Sequence, residues 1–380
     1  MNQSNRFNEL DSLRGIASFQ VFLGHYLVAI PSLGWLVYDK VNISHDGLFF
    51  LAHSPVHFFW SASPAVIIFF VLSGFVLSLP YYSDNIANPK YKTFFIKRIV
   101  RLYIPCILAI TLAYVLYKLF YNAKYLFYYD TWLIDMWSKL GKFKLFDFIF
   151  LTDCVNYVPS SWTLPIEIKL SLILPAFIIG QKNLKLIPSI LLFFIIPIIT
   201  TILGKLFLYK VFPDFRIMFY FTFFTLGSTL CKYRKPLIYY FNYLTDVTYY
   251  FLLFFLFLLF SIDYNTWILP KNYLASYKLI EHYIISIPAS GFVIYSLTDR
   301  LHSFMNNKLL VFIGKISFSL YLTHQVILTL IVLLFNQYFK PDMWLLIFCF
   351  PFAILFAFMF YYIVEFPTLN INKMVANKMK

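Results

Sequence analysis

The residues best equipped for chemistry lie near the start of the chain. Residues 9–25 read E-L-D-S-L-R-G-I-A-S-F-Q-V-F-L-G-H, a stretch that begins polar, turns apolar and carries Arg14 and His25. On an α-helix the step from one to the other is a rotation of about 1100°, three turns plus about 20°, so both side chains share one stripe about 16 Å apart. A guanidinium and an imidazole on one face of an apolar helix point into protein or a wet cavity, because lipid does not tolerate them. An imidazole held partway into a membrane can deprotonate a hydroxyl or carry an acyl group. Taken singly, Arg14 fits an interfacial snorkelling residue and His25 a cross-helix hydrogen bond.

Three further patterns carry charge or polarity into apolar sequence. In Lys97-Arg98-Ile99-Val100-Arg101 the two arginines stand at i and i+3 on one helix face. Such forks suit phosphate oxygens, and equally suit a basic cluster that sets topology. Ser160-Ser161-Trp162-Thr163-Leu164-Pro165-Ile166-Glu167 reads as the outer entry to a span, with Glu167 just inside the apolar zone. An intramembrane carboxylate is a functional candidate, and its neighbour Lys169 is no partner, since i,i+2 side chains diverge on a helix. Gly314 to His324 places Ser317, Tyr321 and His324 at i, i+4 and i+7, a polar stripe that lines a cavity or bonds helices together. Glu365, two residues before Pro367, reads as an interfacial carboxylate at a helix end.

Other groups carry less. His53 and His57 are four apart with His45 nearby, but no flanking glutamate makes a zinc motif, and no metal is expected. Cys106, Cys154, Cys231 and Cys349 are scattered packing residues without zinc or disulfide spacing. Glu281 and His282 read as interfacial, and Trp35, Trp132, Trp137 and Tyr157 as interfacial anchors. No phosphate-binding glycine loop or nucleophile elbow occurs, and no histidine has an aspartate five positions on.

The elements that must position these residues are membrane helices. Of 380 residues, 61% are hydrophobic and 13% charged, about half the charge of a soluble domain. Apolar runs predict an all-α polytopic protein with ten spans at about 15–30, 56–80, 102–121, 164–180, 187–204, 217–231, 247–262, 280–298, 316–336 and 344–364. Pro64, Pro175, Pro197 and Pro288 are expected to kink or break their helices. The net charge of +14 lies in short loops rather than in a nucleic-acid-binding face. With the N-terminus inside, the inner segments hold 18 Lys+Arg and 6 Asp+Glu against 11 and 9 outside, so both termini are expected in the cytoplasm. The first run lacks a basic leader and reads as an uncleaved span. Residues 365–380 leave no room for a soluble C-terminal domain, so 1–380 is expected to be one membrane domain.

In this order the motifs resemble acyltransferase family 3, from Leu10 to Pro367. The resemblance rests on Leu10-Asp11-x-Leu13-Arg14-Gly15-Ile16-Ala17, the Arg14/His25 spacing and Phe70-x-Leu72-Ser73-Gly74-Phe75. It rests also on Arg98/Arg101, Trp162-Thr163-Leu164-x-x-Glu167, Ser317 to His324 and the late Glu365-x-Pro367. It implies a bacterial inner-membrane enzyme of ten helices that takes an acyl group, usually acetyl, from cytoplasmic acyl-CoA. The acceptor it implies is a hydroxyl of a surface polysaccharide or lipid-linked glycan. Carried over, His25 is the catalytic histidine with Arg14 and Glu167, Arg98 and Arg101 hold the coenzyme A phosphates, and Trp162, Ser317, Tyr321 and His324 line the substrate cavity. Two positions depart from the family: Lys169-Leu170 replaces a common glutamine and aromatic, and Gly24 stands where some members carry a carboxylate able to orient the imidazole. A lipid acceptor, or a flippase for a lipid-linked sugar, is the alternative; no internal repeat favours a transporter. Oligomeric state is not legible.

Overall fold

A computed structural model describes residues 7–29, 53–82, 91–121, 137, 157–203, 216–262, 274–338 and 344–378. All regular structure among these residues is helical. In chain order the helices are α1 Asn8–Val28, α2 Ala62–Ser78, α3 Tyr91–Phe120, α4 Thr163–Gln181, α5 Leu186–Leu203, α6 Arg216–Lys232 and α7 Arg234–Tyr243. They continue as α8 Asp246–Phe260, α9 Leu274–Ser296, α10 Asp299–Met305, α11 Lys308–Tyr338, α12 Trp344–Phe360 and α13 Phe366–Lys378. Five stretches, Ala62–Tyr81, Tyr91–Phe120, Pro159–Gln181, Lys308–Leu334 and Phe348–Asn372, are long and apolar enough to cross a membrane. The bent pair α7 and α8 makes a sixth if counted as one span. The chain is a multi-pass membrane protein.

The axis of the fold is α1 against α11. Their contacts run at a constant offset: Gly15 meets Gly314, Ser18 Oγ donates to the Ser317 carbonyl at 2.8 Å, and His25 meets His324. A constant offset means parallel helices. The helices touch backbone to backbone. A Cβ on Gly15 would lie 2.6 Å from the Gly314 nitrogen, and one on Gly314 would lie 2.4 Å from the Asp11 carbonyl oxygen. The second close pair is α2 with α6, where Phe70 stacks on Tyr220 at 4.3 Å and a Cβ on Gly74 would strike the Phe224 carbonyl. Outside these pairs, α8 turns Phe251, Phe254 and Phe255 outward and α12 turns out Phe348, Phe352, Leu355 and Met359. These are apolar stripes at helical spacing with lipid as their solvent.

Several expectations change. The inner segment 232–246 is not a loop but holds α7, bent 120° from α8. Arg300 holds that bend: its guanidinium donates to the carbonyls of Asn242 at 3.0 Å and Leu244 at 2.7 Å, pairs with Asp246 at 2.8 Å and lies over the Tyr249 ring. The chain also stays helical beyond residue 364. A π turn at Tyr361–Glu365 opens the hydrogen-bond ladder, so Pro367 falls in the first turn of α13, where its missing donor costs nothing. Pro64 likewise sits in the first turn of α2, and α4 and α9 run on through Pro175 and Pro288. Glu281 is buried, not interfacial, and His282 packs its ring against Phe219. Trp137 is 1% exposed and meets Tyr117 edge to face, and Tyr157 meets Tyr114, so neither is a membrane anchor. Cys106, Cys231 and Cys349 are free and buried. Trp35, His45, Trp132 and Cys154 lie outside the described residues.

Candidate active site

The polar residues gather into two places on the α1–α11 axis. Nearer the helix starts is a cleft between α1, α2, α3, α4 and α11, about 880 Å³ including its open mouth. Arg14, Arg98, Arg101, Glu167, Ser317 and Tyr321 line it on one side, and α2 supplies an apolar wall that includes Phe69 and Val76. Farther along the same two helices, His25 and His324 face each other.

The charged groups of the cleft come from three elements, α1, α3 and α4. Arg14 donates through Nε to Ser317 Oγ at 3.0 Å and through Nη2 to Asp11 Oδ1 at 2.8 Å and the Gly314 carbonyl at 3.3 Å. Asp11 is one turn before Arg14, the i,i+3 spacing at which helical side chains meet. Arg98 reaches from α3 to Glu167 of α4, Nη2 to Oε1 at 2.5 Å, and Ser73 of α2 donates to the same oxygen at 3.0 Å. Arg98 is 7% exposed, and its Nε has no hydrogen-bond partner. Both Arg98 and Arg101 lie more than a turn inside α3 and line the cleft. Arg14 is paired with Asp11 and Arg98 with Glu167, so Arg101 supplies the positive charge of the lining that no ion pair among the described residues offsets. Glu365, buried on the π turn, accepts from Ser319 Oγ at 2.6 Å and lies within electrostatic reach of Arg14 and Arg101.

The entry to α4 is deeper than its sequence suggests. Ser160 Oγ donates to the Tyr321 carbonyl at 2.8 Å, and the Ser160 amide binds Gln325 Oε1. Tyr321 is thirteen residues into α11, about 20 Å along it. The Pro159–Trp162 turn therefore sits near half height of α11, and Glu167 is carried into the cleft beside Arg98 instead of an outer edge. Thr163 Oγ1 then meets the Tyr321 hydroxyl at 2.9 Å. Trp162 does not line the cleft; its ring lies 5.5 Å from Tyr220.

At the second place the imidazoles stack at 5.1 Å with 18° between planes, His25 Nδ1 standing 2.9 Å from His324 Nε2. His324 Nδ1 is 2.8 Å from the Leu320 carbonyl. Phe22 closes over His324 edge to face, and the Tyr321 ring lies 6.3 Å from it, so one aromatic ring stands between the pair and the cleft. Gly24 is explained here: a Cβ would lie 2.8 Å from the Trp60 carbonyl oxygen, so no carboxylate-bearing side chain fits beside His25.

The structure thus brings Arg14, Arg98, Arg101, Glu167, Ser317 and Tyr321 into one cleft, and sets His25 and His324 together beyond it. Asp11, Ser73, Thr163 and Glu365 were not singled out as site residues. All four stand in motifs that the sequence shows, and the spacing of Asp11 to Arg14 is a further local signal. Among the described residues no three His, Cys, Asp or Glu side chains converge as a metal site would need.

A family model described as an acyltransferase domain matches residues 7–362. The chain belongs to acyltransferase family 3. It is an acyltransferase, and the family implies an acyl donor and an acyl acceptor. No curated protein and no solved structure matches it.

Proposed function

We propose that this acyltransferase moves an acetyl group from cytoplasmic acetyl-CoA to a hydroxyl of a bacterial surface polysaccharide or lipid-linked glycan. The observation that carries the reading is the cleft, with its surplus of guanidinium charge on one wall and an apolar wall opposite. That combination suits a ligand with phosphates at one end and an uncharged thioester arm at the other. Arg98 and Arg101 take the phosphates, with the Arg98 Nε donor still unfilled; Glu167 and Ser73 hold the Arg98 fork in place, a positioning role rather than a catalytic one. Arg14, fixed by Asp11 and Ser317, adds charge beside them.

The protein crosses the inner membrane with ten spans and both termini in the cytoplasm. The parallel pairing of α1 with α11 supports this order, as does the basic excess on the inner segments. The cleft then faces the cytoplasm and His25 stands about 16 Å deeper than Arg14, toward the side from which a glycan arrives. His25 takes the proton from the acceptor hydroxyl as its oxygen bonds to the thioester carbonyl carbon. The C–S bond then breaks, and the proton passes from the imidazolium to the departing thiolate. The products are the ester and free coenzyme A.

The test compares a host expressing wild type, His25→Ala and empty vector. Ester-linked acetyl should appear on surface glycans with wild type alone, and CoA-thiol release from acetyl-CoA by the purified variant should fall roughly 100- to 10,000-fold. Equal thiol release by wild type and His25→Ala overturns the assignment of the base. Thiol release from a longer acyl-CoA and none from acetyl-CoA overturns the donor.

A further inference from the structure

The imidazole pair holds more information than the presence of a histidine. A carbonyl oxygen only accepts, so the 2.8 Å contact between His324 Nδ1 and Leu320 places a proton on that nitrogen. A neutral imidazole with Nδ1–H has a bare Nε2, which must accept. The 2.9 Å contact with His25 Nδ1 is then a bond donated by His25. His25 in turn carries its proton on Nδ1 and its lone pair on Nε2. Donation runs from His25 through His324 to a helix backbone carbonyl.

We propose that His324 is the positioning residue of His25, fixing the tautomer in which Nε2 is the basic nitrogen. This rests on the reading of His25 as the base and deepens it. The role is one that a carboxylate fills elsewhere, and here Gly24 leaves no space for one on the adjacent position of α1. Leu320 and His324 are one turn apart on α11, so the rigid helix that contacts α1 at Gly314 and Ser317 also sets the imidazole. His324 is 0% exposed and packed by Phe22 and Tyr321, which restricts its ring to this orientation. A neutral orienting group differs from a carboxylate in one respect: it supplies no counter-charge to the imidazolium. His25 is therefore suited to hand its proton on quickly to the thiolate instead of storing it.

The deciding measurement is imidazole ¹⁵N NMR of the labelled full-length protein, with the His25 signals assigned by their loss in His25→Gln. Wild type should show His25 protonated on Nδ1 and bare on Nε2; the reverse overturns the proposal without any variant needing to fold. Two variants add the kinetic test. His324→Phe fills the space without an acceptor, and kcat for CoA-thiol release should drop roughly 100-fold or more with KM for acetyl-CoA nearly unchanged. His324→Gln restores an acceptor near the old Nε2 and should recover at least about tenfold of that loss. Equal kcat for the two variants overturns the positioning role. If His25→Ala itself keeps wild-type turnover, the base assignment falls and this inference with it. If His25→Ala is inactive while His324→Phe keeps kcat, only the positioning role fails.

Discussion

The cleft and the imidazole pair sit on the same two helices but solve opposite electrostatic problems. In the cleft, charge is gathered and left partly uncompensated: two of the three guanidiniums in the lining are ion-paired, and Arg98 Nε has no hydrogen-bond partner. At the imidazoles, charge is excluded, two stacked rings being linked by one donated hydrogen bond under aromatic cover. In the proposed reading one region holds an anion, and the other holds a proton in one place. They are kept apart by the Tyr321 ring and kept in register by the Gly15–Gly314 contact. The lesson is that one helix pair supports two unlike sites when its backbone contact fixes the spacing between them.

That division can be broken from the charged side. Arg98→Ala/Arg101→Ala removes the fork pair without touching the imidazoles. It should raise KM for acetyl-CoA roughly 100-fold or more, at about 1.5–3 kcal/mol for each lost set of charge-assisted bonds. KM for the glycan should change far less. Steady-state kinetics with each substrate varied in turn reads the ratio, and equal effects on both would dissolve the distinction between the two regions.

A smaller effect tests whether Glu167 serves the arginine. Glu167→Ala strands Arg98 in the bundle interior and should cost about 3–5 kcal/mol of stability, while the Arg98→Ala/Glu167→Ala double variant should cost less than the single. Denaturant unfolding in a fixed detergent measures both. A double variant worse than the single would mean that each residue has an independent role.

The smallest expected effect joins the regions. Gly15→Ala puts a methyl where the Gly314 backbone lies, and overpacking of this kind costs about 1–3 kcal/mol. Because the contact sets the α1–α11 register from the cleft end, both KM for acetyl-CoA and kcat should worsen together. A change in only one would show that the crossing does not set their spacing.

Much of this was readable before any coordinates. The long apolar helices follow from composition, and the Arg14–His25 stripe follows from helical rotation. What was not readable is non-local. Arg98 reads as an inner-surface residue and Glu167 as an outer one, yet they form an ion pair, because α4 begins near half height. No property of either segment announces that depth; it arises from Ser160 binding α11. The short helices α7 and α13 read in the sequence as loop and tail, since neither is apolar enough to register as a span and Pro367 reads as a stop. His324 lay in the expected polar stripe, but its turn toward His25 depends on the α1–α11 register, which links positions 299 residues apart.

That separation has a consequence for how the protein is made. The first helix enters the membrane with an arginine and a histidine whose partners do not yet exist. At about 5–20 residues per second, α11 follows on the order of 15 s to 1 min later. During that interval Asp11, one turn away on the same helix, is the counter-charge that Arg14 already has. The Asp11–Arg14 pair is in this sense a travelling companion: it covers the first charge at insertion, before the ninth predicted span arrives to complete the site.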